Sequence, residues 1–310
     1  MNKADAKPLR SLLFTPGDQE ARIAENATSG ADALFLDLEE PRTPCPESVR
    51  VKARGLVREF LDTAPTGAAD PLYFVRVQPV ASGMILRDLQ AVMGPNLTGI
   101  LLPKITGAAD VHAADAILGC VETELGIPVG RTLLYPILEN ASAIRNAYEI
   151  AMASPRVAYM GGAISRFGDI AGEIGFRWTA TGTETLYIRE KVLIDARAAG
   201  IRYPISGMWG GANDDAAGLH RWLTELRDIG YFGMMLGNRE HVPVVNAAFT
   251  PTAEEVAYWR DLDRLASEAE RSNEQVIYGE KNQGEGHEIH IAHVATARRL
   301  FTWAKELGVA

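Results

Sequence analysis

Charged side chains stand at the ends of successive apolar runs in this chain, where together they could bind a metal ion and polarise a small, oxygen-rich substrate. The residues in these positions are Glu39, Arg76, Lys104, Glu139 and Asp169, with Gly168 beside the last. A single charged residue at the end of a run is more often a surface residue or half of an ion pair. The repetition of this position along the chain therefore indicates a site more strongly than any one residue does.

Glu139 and Asp169 are the two carboxylates that could bind a metal ion. They follow neighbouring apolar runs, and two carboxylates with water and substrate oxygens form the usual magnesium site. The pattern predicts a hard divalent cation, Mg²⁺, with Mn²⁺ as a second candidate. The alternative is structural, with Glu139 paired to Lys104 or Arg76 and Asp169 capping a helix that begins at Ile170.

Eight short apolar runs alternate with longer helical patterns, which is typical of a parallel sheet with helical crossovers. Most of the runs are continuous rather than alternating, as expected of strands that are buried on both faces. The runs cover residues 11–15, 33–37, 72–77, 99–103, 132–138, 157–162, 202–206 and 231–236. Eight strands predict an α/β fold of the (β/α)8 TIM-barrel type, in which reactive groups lie at the C-terminal ends of the strands.

Helical periodicity and terminal residues place helices between the runs. Asn140 can cap a helix over residues 141–153, and Gly200 and Gly230 stand where helices end in a left-handed residue. The other predicted helices cover residues 110–124, 183–199, 216–228 and 251–271. The last of these is expected to close the barrel.

The composition changes after residue 271. Residues 272–286 are polar and contain glycine, and a last helical pattern covers residues 289–307. We therefore predict a catalytic barrel domain over residues 1–271, followed by a linker and a C-terminal helical segment over residues 272–310.

The bulk composition argues against several classes of partner. A formal net charge of −9 disfavours nucleic acid and anionic membrane surfaces, both of which attract clustered Lys and Arg. The sequence has no stretch of roughly 18 consecutive apolar residues, as a membrane span would need. Cys45 and Cys120 are the two cysteines, and the first residues lack an apolar secretory signal. The expectation is a cytoplasmic enzyme that acts on a small molecule.

Six segments of the chain resemble, in order, the HpcH/HpaI aldolase and citrate lyase beta-subunit family. They are RSLLFTPG at 10–17, GADALFLDLEE at 30–40, VRV at 75–77, LPK at 102–104, PILE at 136–139 and FGD at 167–169. The segments 196–200, 230–233 and 249–255 are also similar to this family. Its members include malyl-CoA and citramalyl-CoA lyases. The resemblance thus implies a TIM-barrel carbon–carbon lyase for a hydroxy acid or its CoA thioester.

The resemblance also implies roles for individual residues. It implies that Glu139 and Asp169 bind Mg²⁺ and that Arg76 holds the carboxyl or carbonyl end of the substrate. The remaining implied site residues are Lys104 and Glu39 in the polar floor, and Gly168 and Asp169 beside the substrate. Cations fixed in the floor would stabilise the enolate charge that develops when the carbon–carbon bond breaks.

The C-terminal segment of this family is a lid that reaches over the active site of a neighbouring subunit. The resemblance therefore implies a homo-oligomer, a trimer or a hexamer, in which residues 272–310 act as this lid segment. The family's lid carries an aspartate that acts as acid or base on the thioester half, whereas His290 stands there in this chain. An imidazole transfers protons near neutral pH, so His290 is a candidate catalytic residue. The other interpretation is that thioester chemistry is absent.

Three further places depart from the family pattern. Gln78 replaces an asparagine, and Ser206-Gly207 replaces Asp-Gly at the end of strand seven. Residues 234–238, which are MMLGN, replace a lysine followed by Ile-His-Pro, so strand eight has lost its polar groups. These changes leave three hypotheses: a magnesium-dependent lyase on a hydroxy acid or its CoA thioester, an aldolase on free oxo acids without CoA, and a metabolite-binding barrel without turnover.

Overall fold

The chain folds into two compact units, Met1–Phe249 and Thr250–Ala310. The computed structural model describes residues 3–162, 164–273, 277–278 and 287–310, with only the backbone described at 277–278 and 287–288. The units divide at residue 250, before the long helix that was predicted to close the barrel. The predicted linker at 272–286 lies largely outside the described residues, so the division into residues 1–271 and 272–310 stays a prediction.

A curled sheet of seven parallel strands organises the first unit, in the order β5-β4-β3-β2-β1-β7-β6. The strands are β1 (Ser11–Pro16), β2 (Ala33–Asp37), β3 (Leu72–Arg76), β4 (Gly99–Leu102), β5 (Leu133–Pro136), β6 (Ile205–Ser206) and β7 (Gly233–Leu236). Each lies within or within one residue of a predicted apolar run. The α/β class is thus confirmed.

The strand predicted over residues 157–162 forms isolated parallel bridges instead of a regular ladder. Val157 pairs with Leu134 of β5, and Gly161 pairs with both Ile137 and Ile205. Gly161 has a φ of 147° and Gly162 a φ of 83°. Such angles suit glycine and interrupt an extended strand, which explains why a continuous apolar run does not make a continuous strand here.

Alternate strand residues enter two apolar clusters, one on each face of the sheet. Leu13 and Leu36 belong to the larger cluster, which includes residues of the surrounding helices. Leu12 and Phe35, their neighbours in sequence, belong to a second cluster built mainly from strand residues. Burial on both faces accounts for the continuous apolar runs of the sequence.

Ten helices of the first unit are described. They are α1 (Glu20–Ala27), α2 (Glu47–Thr63), α3 (Ile85–Val92), α4 (Ala108–Glu124), α5 (Ala141–Arg145), α6 (Ala147–Met152), α7 (Asp169–Ile174), α8 (Thr183–Ala198), α9 (Ala216–Ile229) and α10 (Val242–Ala248). The predicted cap is confirmed, because the Asn140 side chain accepts the N–H of Ala143 at 2.8 Å. Gly200 and Gly230 have φ angles of 83° and 112°, as predicted for helix ends.

The second unit consists of two helices and a short hairpin. Helix α11 (Ala253–Ser272) and helix α12 (Ile291–Glu306) are joined through the antiparallel strands β8 (Ile277–Tyr278) and β9 (His287–Glu288). Trp259 and Trp303 bring their ring centroids within 6.2 Å, and Arg298 donates to Asp263 at 2.7 Å. Among the helices described, none is both long and apolar enough to cross a membrane.

Candidate active site

A cavity of about 250 Å³ lies at the carboxyl ends of the parallel strands. All the predicted site residues of the first unit line it: Glu39, Arg76, Lys104, Glu139, Gly168 and Asp169. The rest of its wall is formed by Phe35, Glu40, Ile137, Ile164, Ser165, Phe167, Gly207, Met208 and Met235. Residues that are up to 200 positions apart in the sequence thus line one cavity, because parallel strands bring their C-terminal ends to one edge.

Arg76 is held between two carboxylates. Its Nε and Nη2 donate to the two oxygens of Asp37 at 2.7 and 2.8 Å, and its Nη1 lies 3.2 Å from Glu39 Oε2. Burial would lower the pKa of the Arg76 guanidinium, but the carboxylates of Asp37, Glu39 and Glu139 together outweigh burial and hold that pKa above its ordinary value. Asp37 is fully buried and is a partner that the sequence reasoning missed. The available signal was that Asp37 and Arg76 end adjacent strands, where they are register partners.

Gln78 supports the segment that carries Glu39. Its side-chain amide donates to the carbonyls of Leu38 and Glu39, both at 2.9 Å. Its backbone N–H donates to the buried Asp88 carboxylate at 2.7 Å, and Arg54 donates to the same carboxylate. Gln78, which stands where the family pattern has the shorter asparagine, therefore fixes the loop after β2.

Lys104 connects the acidic residues of the cavity. Its Nζ lies 3.2 Å from Glu39 Oε1, 3.4 Å from Glu40 Oε1 and 3.9 Å from Asp169 Oδ2. Burial lowers the pKa of Lys104, but the carboxylates of Glu39, Glu40 and Asp169 together more than compensate, so this pKa is raised. The backbone of Lys104 has a φ of 52°, an uncommon left-handed conformation for a residue with a side chain. This conformation turns the Lys104 N–H toward Glu139.

Glu139 is a partly buried carboxylate in an acidic surrounding. Its Oε1 accepts the backbone N–H of Lys104 at 2.5 Å. Burial, followed by the neighbouring charge of Glu39, raises the pKa of Glu139 to about 7, and the charge of Asp169 acts in the same direction. Glu139 thus accepts a hydrogen bond from a backbone N–H, and not from the ammonium of Lys104 or the guanidinium of Arg76. The alternative of a simple ion pair is therefore not what the geometry shows.

Asp169 is the first residue of α7, and Gly168 occupies the capping position before it. The Asp169 carboxylate is thus not the N-cap that the structural alternative required. Its side chain is 61% exposed and faces the cavity that also contains Glu139. The two carboxylates predicted as metal ligands therefore lie at the same cavity.

The charge of the cavity fits a divalent cation. Four carboxylates line it, from Glu39, Glu40, Glu139 and Asp169. Two cations, from Arg76 and Lys104, oppose them among the described lining residues. The carboxylates of the cavity thus outnumber its cations, and one of those cations, Arg76, is already paired with Asp37. Among the described residues, three or more His, Cys, Asp or Glu side chains do not gather into a complete ligand set. Two carboxylates with water and substrate oxygens are the arrangement that Mg²⁺ prefers.

Residues 10–238 match the sequence model of the HpcH/HpaI aldolase/citrate lyase family. The chain belongs to this family. The citrate lyase subunit beta of Leuconostoc mesenteroides subsp. cremoris is 30% identical over 268 residues, covering 86% of this chain and 85% of the relative. The (3S)-malyl-CoA thioesterase of Cereibacter sphaeroides is 28% identical over 303 residues, covering 98% of this chain and 97% of the relative.

Solved structures agree with the family assignment. A citrate lyase beta subunit from M. tuberculosis, complexed with oxaloacetate and magnesium, superposes with a TM-score of 0.58 at 25% identity. The superposition covers 81% of this chain and 100% of that one. As a member of the citrate lyase family, the chain is a carbon–carbon lyase.

The side of the cavity formed by β6 and β7 lacks the polar groups of the citrate lyase pattern. Met208 follows β6, and Met235 lies on β7 and is 4% exposed. Met234, the neighbour of Met235, belongs to the apolar cluster on the opposite face of the sheet. Strand β7 therefore contributes a thioether to the cavity and no charge.

His290 lies in the second unit, as the residue before α12, and is exposed. Its ring centroid is 5.7 Å from that of His293, and the His290 N–H donates to His293 Nδ1 at 3.4 Å. The catalytic role of His290 stays a prediction, as do the roles of the six cavity residues.

Proposed function

We propose that this chain is a magnesium-dependent lyase that cleaves a hydroxy acid or its CoA thioester into a 2-oxo acid and an enolate, or runs the reverse condensation. The observation that carries the proposal is the excess of carboxylates over cations in one cavity at the carboxyl ends of the strands. The relatives support the substrate class. One is named for malyl-CoA, and one solved structure contains oxaloacetate and magnesium.

Glu139 and Asp169 would hold the metal ion. Glu139 is prepared for this role by burial and by its acidic neighbours, which disfavour its charge until a cation arrives. When bound, Mg²⁺ supplies Lewis-acid polarisation of the substrate's hydroxyl or carbonyl oxygen. The backbone N–H of Lys104 fixes the orientation of the Glu139 carboxylate.

Arg76 and Lys104 would stabilise the negative charge that forms when the bond between the hydroxyl carbon and its neighbour breaks. Both cations are positioned in advance by Glu39, which lies within 3.2 Å of each. Cations that are already oriented need no rearrangement in the transition state, which is the main source of electrostatic catalysis. In cleavage the hydroxyl group loses its proton and the enolate carbon gains one. His290, from the lid segment, would carry the proton to the enolate carbon, and would remove it in the reverse condensation.

The seven strands would close into a complete (β/α)8 barrel through residues 157–161. The bridges of this segment to Leu134 and Ile205 support closure, because those residues lie on β5 and β6, the two edge strands of the sheet. A closed barrel would hold the carboxyl ends of all strands around one cavity.

Calorimetric titration with Mg²⁺ tests the proposal. Glu139→Ala and Asp169→Ala should each weaken Mg²⁺ binding by at least tenfold and abolish lyase activity, while circular dichroism shows a folded protein. Glu190→Ala removes an exposed carboxylate of α8 and is the matched control. Unchanged Mg²⁺ affinity in both cavity variants would exclude the metal assignment.

A further inference from the structure

The cavity has a charged half and an apolar half. The charged half comes from the ends of β2 to β5 and from the start of α7, and holds the four carboxylates, Arg76 and Lys104. The apolar half is formed by Phe35, Ile137, Ile164, Met208 and Met235. The two halves would contact different parts of one bound molecule.

The apolar half is tightly packed around Met235. A Cβ added at Gly162 would lie 3.2 Å from the Met235 sulfur and 3.4 Å from Ile137. Met235 and Ile137 also belong to one buried apolar cluster, against which Met208 packs. The thioether of Met235 is therefore held in place by its neighbours and forms a fixed wall.

Both cations of the charged half already have anionic partners. Arg76 is bound by Asp37 and lies beside Glu39, and Lys104 lies among three carboxylates. One Mg²⁺ would reduce the excess of negative charge, and one substrate carboxylate could then bind to the metal. A second carboxylate would face the apolar half, where the described lining residues offer no cation. Placing a charge there without a partner is strongly unfavourable.

We infer that Met208 and Met235 select a 2-oxo acid with one carboxylate and a short alkyl tail over a dicarboxylic 2-oxo acid. The inference rests on the proposed function, because the metal must hold the carboxylate and oxo oxygens for the tail to point at the methionines. Thioethers are polarizable and make favourable contacts with alkyl groups, which suits a tail of one to three carbons.

Calorimetry on the full chain saturated with Mg²⁺ tests this selection with two matched pairs. 2-Oxobutyrate and oxaloacetate differ by a terminal methyl in place of a carboxylate, and 2-oxovalerate and 2-oxoglutarate differ in the same way. We expect the monocarboxylic member of each pair to bind at least tenfold more tightly. The second pair avoids the metal-assisted decarboxylation of oxaloacetate.

A charge-introducing variant locates the selection. Met208→Arg adds a cation to the apolar half at a partly exposed position, so it should reduce the preference for the monocarboxylic acid at least tenfold. Met152→Arg, on the exposed face of α6, is the matched control and should keep the preference. Equal or tighter binding of the dicarboxylic acids by the unmodified chain would overturn the inference alone. Failure of every oxo acid to bind, although Mg²⁺ binds, would overturn the proposed function and the inference with it.

Discussion

The positive charge of Arg76 is paired with carboxylates of the protein before any substrate binds. Asp37 takes the Nε–Nη2 edge of the guanidinium, and Glu39 lies beside Nη1. The edge most suited to a two-point contact with a substrate carboxylate is therefore occupied. Arg76 can still offer a substrate its positive charge and the remaining N–H donors at the end of its guanidinium group. Its main contribution would be a fixed positive potential at the floor of the cavity.

Replacement of Arg76 by lysine should be costly in two ways. A lysine cannot reproduce the two parallel hydrogen bonds that the planar guanidinium donates to Asp37. The buried carboxylate is therefore less well paired, and the unfolding free energy should fall by about 1–3 kcal/mol. Turnover should fall by more than tenfold, because the ammonium would not lie where the guanidinium does. Urea unfolding and steady-state kinetics measure the two effects.

Arg264→Lys is the control for this substitution, since Arg264 is 56% exposed and pairs with Glu268 on the same helix. Its unfolding free energy should change by less than about 0.5 kcal/mol. Wild-type turnover in Arg76→Lys would place Arg76 outside the catalytic machinery.

The raised pKa of Glu139 should make the metal-free protein less stable at higher pH. The folded-state pKa is about 7, against an ordinary value of 4.5. Below pH 4.5 the group is protonated in both states and carries no penalty. The penalty develops between pH 4.5 and 7 and is complete above 7, where it should reach about 3 kcal/mol by the linkage of pKa to stability.

Urea unfolding in the presence of a chelator, from pH 5 to pH 8, measures this effect as the difference between wild type and Glu139→Gln. The difference isolates Glu139 from Glu39, whose pKa is also raised by burial. Mg²⁺ should restore stability at pH 8 in the wild type and not in the variant. An equal pH dependence in the two proteins would show that Glu139 carries no such penalty.

At the scale of elements, apolar runs predicted the strands well, and contacts between distant segments account for the differences. Strand β2 spans the predicted residues. All five of them are buried, as expected of a strand that is covered on both faces. The helix predicted over residues 141–153 breaks at Asn146, whose side-chain amide donates to the carbonyl of Thr106 at 3.0 Å. The sequence around Asn146 does not predict that contact. The sequence likewise does not predict the φ angles of Gly161 and Gly162, which leave residues 157–162 with isolated bridges.

Gly161→Ala should be strongly destabilising. The added Cβ would lie 1.8 Å from the carbonyl oxygen of Ile205, and the φ of 147° is one that L-residues rarely adopt. The chain would have to separate from β6, so the loss of unfolding free energy should exceed about 3 kcal/mol. Thermal and urea unfolding measure this loss.

Gly55→Ala is the matched control, because Gly55 lies within α2 and its added Cβ would meet open space. Alanine there should stabilise the protein by about 0.5–1 kcal/mol. Equal stability of the two variants would mean that the contact between Gly161 and Ile205 does not constrain the sheet.

At the scale of the whole molecule, the residues predicted for the site belong to both compact units. The six cavity residues belong to Met1–Phe249, and His290 belongs to Thr250–Ala310. The sequence predicted that Glu139 and Asp169 would share a site, because the ends of parallel strands meet at one edge. It placed Asp37 and Arg76 at the ends of consecutive apolar runs, but the hydrogen bonds between them depend on register and rotamer.

His290→Ala should lower turnover by about 10²-fold or more, the usual contribution of a positioned acid or base, and change Mg²⁺ affinity by less than about twofold. His293→Ala is the control, since His293 is also exposed and lies on the same helix. His290→Asp should retain activity, because it restores the aspartate of the family pattern. Equal turnover in wild type and His290→Ala would exclude the lid role.

Mixing two inactive variants tests whether the lid segment acts on a neighbouring subunit. Glu139→Ala destroys the metal site of its own chain, and His290→Ala removes the proton-transfer group that its chain would lend to another. In a randomly mixed homo-oligomer, about a quarter of the sites combine an intact cavity with an intact lid from the neighbour, so activity should return to about that fraction. The experiment requires dissociation and reassembly of the mixed chains, followed by light scattering to establish the oligomer. If the lid served its own chain, each site would keep one defect and mixing would restore nothing. A monomer by light scattering would remove the neighbour altogether and place the proton transfer within a single chain.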